Sequence, residues 1–500
     1  MTERLILSLD QGTSNTKALV VNSLGRVVAR STIPVSRTYP RPGWVEQSPT
    51  DIWQSIVDAV DALPEAYVRH IESVAITNQR ESVLLWERAS GRAIGSCVSW
   101  QCQRGETLCE QLRAAGAGPT VRAATGLPLD AAFSAAKAAW LLHQDSSLFS
   151  RAEAGELCLG TVDSWLLWNL TGRGVHGSDV SNASRTLLFN IHAVDWDNEL
   201  LELFSIPRPA LPRVLPSAAL HGEVVKLRGL RAGTPVHAIV GDSSAALFGQ
   251  GCLHPGDAKA TYGTGTSVMT PACESTSAEG LLVTIAWGRN TLTYGLEGNI
   301  LSTGGTLQWL SDLLQLSDGI RDIARFAAKA KSSGGAYFVP AFGGLGSPYW
   351  DKQARGLVAG LTLSTNTAQL ACAALESIAY QVRDVVDAVD RVVARPIKVL
   401  RADGGAAAND QLMQFQADIL QRPVIRSASQ EIGALGAAYM AGLKAGIWST
   451  TDEIEMPPRP WAEFLPAMAD ATSERLYKGW LGAVAQARAH SSPTNNHKTA

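Results

Sequence analysis

The chain has little that would tie it to a membrane, a nucleic acid or a disulfide scaffold. No apolar run approaches the roughly 20 residues needed to span a bilayer. The start goes almost directly into a strand-like run, without the basic segment and cleavage site of a secretory leader. No membrane insertion and a cytoplasmic location are therefore expected. Charge of one sign is nearly balanced: 43 Lys and Arg stand against 46 Asp and Glu, a formal net charge of -3. That gives no support for a nucleic-acid partner. Cysteine is sparse, 7 in 500 residues, an odd number at scattered spacings, so no disulfide framework is expected. Cys97, Cys102 and Cys109 are near each other, but no Cys-x-x-Cys or histidine cluster accompanies them. Buried thiols are the expected reading there; Cys158, Cys252, Cys273 and Cys372 are scattered along the chain. A Gly-x-x-x-x-Gly-Lys-Ser/Thr segment is absent, which excludes a P-loop enzyme. Low-complexity blocks and short-period repeats are absent too.

What is present suits a large globular protein. With 500 residues, 46% hydrophobic and 18% charged, the chain exceeds what one core holds, so two domains are expected. Short apolar runs alternate with helical patterns, which argues for α/β architecture. Strands are predicted over 5–9, 18–21, 27–29, 74–77, 83–86, 236–240, 257–262, 292–296, 336–340 and 399–402. Helices are predicted over 52–60, 135–142, 244–248, 304–314, 369–392 and 411–420. The boundary is placed at 251/252, giving domains 1–251 and 252–490 and a polar tail 491–500.

Two turns carry the chemistry. Asp10-Gln11-Gly12-Thr13-Ser14-Asn15-Thr16-Lys17 lies between two strand candidates. Its glycine and small hydroxyl residues let a phosphate approach the backbone, and Asp10 offers a hard oxygen that Mg²⁺ prefers. Gly263-Thr264-Gly265-Thr266 is a second small-residue turn far along the chain. An ordinary β-hairpin explains either turn alone. Together, with an acid beside one, they suggest phosphoryl transfer. Asp242 follows a buried strand, at the end where active-site groups collect in α/β folds. A helix cap is its bland alternative.

Many ordered motifs then form one pattern. They include Asp10-Gln11-Gly12-Thr13, Thr77-Asn78-Gln79-Arg80-Glu81, Ser181-Asn182-Ala183-Ser184-Arg185-Thr186, Gly241-Asp242, Tyr262-Gly263-Thr264-Gly265, Pro348-Tyr349-Trp350-Asp351 and Asp403-Gly404-Gly405. In these the chain resembles the FGGY carbohydrate kinases nearly end to end, and within them the glycerol kinases. The resemblance implies two actin-like, ribonuclease-H-like domains flanking a catalytic cleft. Nucleotide would bind mainly through the second domain and polyol mainly through the first. It implies ATP and Mg²⁺ as cofactors, a small polyol or ketose as substrate, and a homo-oligomer, dimer or tetramer. Asp242 would be the general base, and Asp10 and Asp242 the metal-side acids. Arg80, Glu81 and Trp100 would contact the polyol. Thr13, Ser14, Lys17, Thr264, Gly304, Gln308, Gly405 and Asn409 would contact the nucleotide. Where glycerol kinases usually carry Arg, position 17 is Lys, which keeps the charge but loses the two-pronged fork.

The pocket departs from the pattern. A Tyr is replaced by Ala132, a Gln after the base by Ser243, and a Phe after the Gly-Thr-Gly turn by Ser267. Position 103 is Gln where an Arg is common. In a glycerol-shaped site these changes would leave a wet cavity and unpaired hydroxyls, so a four- or five-carbon polyol or ketose is favoured. Glycerol itself is the alternative; an actin-like ATPase or a non-catalytic sugar sensor are remote ones. The segment Lys226 to Gly233 matches poorly the loop that binds fructose bisphosphate in some glycerol kinases, so that inhibition is not expected.

Overall fold

The computed structural model describes residues 4–272, 278–330, 332–427, 429–458 and 461–489. Cys273 and the polar tail lie outside them. The first strand, β1 (Leu5–Gln11), is apolar at nearly every position to Leu9 and buried on both faces. That is the pattern of a strand covered by a layer on each side. It turns tightly into β2 (Asn15–Asn22) and continues antiparallel into β3 (Val27–Pro34). Strands β4 (Ile71–Asn78) and β5 (Thr234–Gly241) then add in parallel with β1.

The second sheet repeats the plan. β6 (Asp257–Tyr262), β7 (Thr266–Ala272) and β9 (Leu292–Ile300) form an antiparallel meander, extended at its edge by β8 (Leu282–Gly288). β10 (Val399–Asp403) and β11 (Val424–Ser427) pair in parallel on the other side of β6. Three antiparallel strands followed by two parallel ones in each half make this the two-domain, ribonuclease-H-like α/β architecture. The Gly12 and Gly263–Gly265 turns are equivalent positions of the two units: each joins the first and second strand of its meander.

The predicted elements are present, with their ends moved. β3 runs to Pro34 rather than residue 29, and β9 runs four residues past the expected end at 296. The helix expected from Ser244 starts at Asp242. Helix α1 (Pro49–Asp61) begins where the Ser48 side chain accepts from the Asp51 amide at 3.2 Å. Its buried face carries Ile52, Ile56, Ala59 and Val60, one stripe of a 3.6-residue period.

Further helices are α2 (Ser134–Leu142), α3 (Val180–Ala183), α4 (Asp242–Gly249), α5 (Gly304–Leu313), α6 (Thr367–Asp390), α7 (Asp410–Leu420), α8 (Ile432–Lys444) and α9 (Asp470–Ala489). Sequence patterning did not find α8. It is Ala- and Gly-rich and buried nearly all round, so it lacks an amphipathic period. It comes late in the chain yet packs on the first sheet, where Ala434, Ala438 and Ala441 join Ile6, Ala75 and Val240 in one core. There it crosses α4 so closely that a Cβ on Gly436 would lie 1.9 Å from the Ala245 carbonyl oxygen.

Candidate active site

The parallel register of the first sheet assembles one side of the site. Asp10 pairs with Thr77, and Gly241 pairs with Asn78. The carboxyl ends of β1, β4 and β5 therefore bring Asp10, Arg80, Glu81 and Asp242 to one edge. Gly241 is required there: a Cβ would lie 2.7 Å from Arg80 Cδ. Its amide donates to Ser181 Oγ at 2.8 Å, which fixes the backbone just before Asp242. Glu81 holds a left-handed backbone, φ 62°, a strained state for a non-glycine residue that persists only where its surroundings enforce it. Ser134 Oγ, at the start of α2, donates to the Glu81 carbonyl at 3.0 Å.

Charge at this edge is closely paired. Arg80 Nε lies 3.2 Å from Asp242 Oδ1, and Arg80 Nη2 donates to Ser243 Oγ at 3.0 Å. Arg185 Nε, just past α3, donates to Glu81 Oε1 at 2.6 Å. From the second sheet, Glu297 accepts from Arg80 Nη2 at 2.8 Å and Nη1 at 3.0 Å. Arg80 and Glu81 are buried, and Glu297 is wholly so. Burial opposes the charge on Glu297, but Arg185 and Arg80 outweigh it and hold its carboxyl far below the usual carboxylate range. Asp242, half-exposed at the cleft, is raised by desolvation while Arg80 opposes the rise. Burial pushes Asp10 up to about 6, against the pull of Lys17 and with the charges of Asp242 and Glu431 adding to the rise.

The flanking residues are tied in as well. Trp100 Nε1 donates to Thr13 Oγ1 at 3.0 Å, so the first turn and this indole support each other, and the ring is 40% exposed. Ser14 is exposed at the hairpin tip, its carbonyl accepting from the Val35 amide at 2.9 Å. Lys17 Nζ donates to the Gln430 carbonyl at 3.3 Å, a link to the second half of the chain. Ala132 is half-buried, and its carbonyl accepts from the buried Lys137 amine. Burial lowers Lys137 to about 8. The expectation of unpaired hydroxyls is corrected: Ser243 Oγ accepts from Arg80, and Ser267 Oγ donates to Glu297 Oε1 at 2.9 Å. Small side chains here leave polar, satisfied walls because buried charge stands directly behind them.

The second sheet supplies the other side. Thr261 pairs with Asp403 across β6 and β10, so the Gly263–Gly265 turn and Gly404-Gly405 sit together. The Thr303 amide donates to the Thr264 carbonyl at 2.8 Å, and the Gly304 amide to the Gly263 carbonyl at 3.0 Å. The turn is thereby docked on the start of α5. Gly404 has φ 93°, and a Cβ there would lie 2.5 Å from the Tyr262 carbonyl oxygen. Thr264, Gly405 and Gln308 are exposed on this surface. Gln308 Nε2 donates to Asp312 Oδ1 at 2.7 Å, and Asn409 Oδ1 caps α7 by accepting from the Leu412 amide at 2.9 Å.

Sequence reasoning missed Glu297, Lys259 and the role of Arg185. Arg185 stood inside a quoted motif. Glu297 is a lone acid in an apolar strand, a signal in itself, but it lies one residue past the strand predicted over 292–296. Lys259 is fully buried; burial pushes its amine below the usual lysine range, against the pull of Asp403, Glu297 and Asp242. The thiols of Cys97 and Cys109 are buried, and burial pushes both up to about 12. The described residues contain no helix long and apolar enough to cross a membrane.

The family model described as "FGGY family of carbohydrate kinases, N-terminal domain" matches residues 5–249, and its C-terminal counterpart matches 258–445. Glycerol kinase 2 of Thermotoga maritima is 45% identical over 490 residues, 97% of this chain and 98% of that protein. A glycerol kinase of Pseudothermotoga lettingae is 46% identical over 492 residues, 97% and 98% of the two chains. The crystal structure of Plasmodium falciparum glycerol kinase with ADP superposes with a TM-score of 0.90 at 29% identity, covering 97% of this chain and 98% of that one.

Proposed function

The chain belongs to the FGGY family of carbohydrate kinases, and from that premise we propose that it transfers the γ-phosphoryl group of ATP to a hydroxyl of a polyol or ketose with four or five carbons. It is a phosphotransferase with an alcohol acceptor. The observation that carries the finer reading is the set of short side chains at Ala132, Ser243 and Ser267, beside a retained Arg80–Glu81 pair. A pocket wall of serine hydroxyls suits an acceptor that carries further hydroxyls.

In this reading Asp242 accepts the proton of the attacking hydroxyl. The new oxygen–phosphorus bond forms as the bond from the γ-phosphorus to the β-bridging oxygen breaks, and ADP leaves. Arg80 orients Asp242 and, with Glu81, offers paired donor and acceptor atoms for vicinal hydroxyls. Trp100 lines the pocket. Thr13, Ser14 and Lys17 on one turn, and Thr264, Gly304, Gln308, Gly405 and Asn409 on the other, face the nucleotide. Asp10 fits a magnesium-side acid: it stands at the carboxyl end of β1, on the same sheet edge as Asp242, and offers a hard carboxylate oxygen. Among the described residues no group of three or more acidic, His or Cys side chains could hold a metal alone. One or two carboxylates, completed by nucleotide phosphates and water, are the usual holding of Mg²⁺. The ion would offset phosphate charge. We also propose a homo-oligomer, dimer or tetramer, to be read by sedimentation equilibrium against the 53.1 kDa chain.

The glycerol reading draws on the names of the relatives at 45–46% identity. A coupled ADP-release assay with glycerol, tetritols, tetruloses, pentitols and pentuloses separates the two. A four- or five-carbon acceptor ahead in kcat/KM by about tenfold, 1.4 kcal/mol of transition-state discrimination, supports the proposal. Glycerol ahead by the same margin overturns the longer substrate.

A further inference from the structure

Glu297 has no part in the chemistry described so far, yet it joins the two sides of the cleft. It sits on β9 of the second sheet, fully buried, and its carboxylate reaches the first domain. Its two oxygens receive the two Nη groups of Arg80 at 2.8 and 3.0 Å. This paired geometry gives Arg–carboxylate contacts direction as well as strength. Arg185 Nη1 lies 3.0 Å from Glu297 Oε2. Ser267 Oγ donates to Oε1 at 2.9 Å. Lys259 adds positive charge nearby. Each arginine then spends its remaining Nε on a first-domain acid: Arg80 on Asp242 at 3.2 Å, Arg185 on Glu81 at 2.6 Å.

We propose that Glu297 is a positioning residue for polyol recognition, delivered to the pocket by the second domain. It locks the Arg80 guanidinium plane through two hydrogen bonds and draws Arg185 by charge, so Arg80 is held toward Asp242 and Arg185 toward Glu81. The donor and acceptor that meet the polyol are thereby fixed before the polyol arrives, which lowers the ordering cost of binding. This rests on the proposed polyol role of Arg80 and Glu81. Ser267 belongs to the same device. The phenylalanine that the resemblance expects at 267 has no donor for Oε1, whereas the serine supplies one. The first-domain pocket is complete only when the second domain presents Glu297, so domain position and polyol affinity are coupled through one carboxylate.

The test compares Glu297→Gln, Glu297→Asp and Ser267→Ala with the unaltered protein, using Mg-ATP with glycerol or erythritol as acceptor. KM for each substrate, kcat and Tm are read together. Glu297→Gln keeps the side-chain volume but leaves two buried arginines short of a carboxylate. It is expected to raise polyol KM by about tenfold or more while ATP KM stays within about twofold. Glu297→Asp, which restores the charge, should recover part of that loss. Ser267→Ala should raise polyol KM by about threefold with Tm unchanged. Should Glu297→Gln fail to fold, Glu297→Asp decides by the same split, because Ser267 also lines the proposed pocket. Calorimetric titration of erythritol without nucleotide repeats the comparison independently of turnover. If polyol KM is unmoved, or if both KM values rise together as Tm falls, Glu297 is only a structural pin and the proposal is overturned. Loss of the underlying polyol reading looks different: the unaltered protein itself then shows neither polyol binding nor polyol-dependent ADP release.

Discussion

At the scale of single residues, the site depends on a few atoms placed by backbone geometry. Asp242 is the first residue of α4 and half-open to the cleft, while Arg80 beside it is buried. A base in this position is worth about 10²- to 10⁴-fold in rate. Asp242→Asn should therefore lower kcat by at least about hundredfold while polyol binding, read by calorimetry, is largely kept. Substantial residual turnover would refute the assignment. Ala132 tests the pocket size from the other direction. If the pocket is enlarged as proposed, a ring introduced by Ala132→Tyr fills the space, and one pocket contact of this kind is worth about 1–3 kcal/mol of discrimination. The ratio of kcat/KM for glycerol over erythritol should rise by about tenfold. No change in that ratio would mean Ala132 does not line the acceptor site.

At the scale of elements, two contacts between helices stand out. The α4–α8 crossing has no room for a side chain at Gly436. Gly436→Ala forces the helices apart and should destabilise by about 1–3 kcal/mol, the usual cost of overpacking. A lower urea midpoint with unchanged m-value is the expected signature. The second contact docks α9 on α6. Tyr477 Oη donates to Asp384 Oδ1 at 2.7 Å and Trp480 Nε1 to Oδ2 at 2.9 Å, and the Trp480 ring stacks on Tyr380 at 5.3 Å. Burial raises Asp384 to about 7, despite hydrogen bonds that pull the other way. Between the ordinary carboxylate value and about 7, the folded chain holds this proton and the unfolded chain has released it. Stability from this group therefore falls as pH rises through that window. Asp384→Asn cannot ionise. The drop in Tm between pH 5 and pH 7.5, measured at fixed ionic strength, should be smaller in the variant than in the parent, and an equal drop would contradict the assignment.

At the scale of the whole molecule, the two domains are bound by more than a linker. Helix α8 is encoded after the second sheet's core but buried on the first. Beneath the cleft, Glu297 pairs with two arginines of the other domain. Breaking such a buried pair strands a charge at high cost, so neither domain melts without disturbing the other. One calorimetric transition is expected, and two resolved peaks would show that these links do not couple the domains. The sequence by itself determined the class of fold, the two small-residue turns and the acid at the end of β5. Strand and helix periods, turn residues and strand-end positions are local features, legible within a few residues. The ends of β3 and β9 were misread, because polar positions such as Glu297 and Asn299 look like a strand end until burial is known. Only the tertiary structure decided that Arg80 and Glu297, 217 residues apart, share two hydrogen bonds. It also decided that the serines at 243 and 267 find partners, that Glu81 takes a left-handed backbone, and that α8 crosses to the first sheet. Those outcomes depend on how two sheets pack against each other, and no short stretch of sequence carries that information.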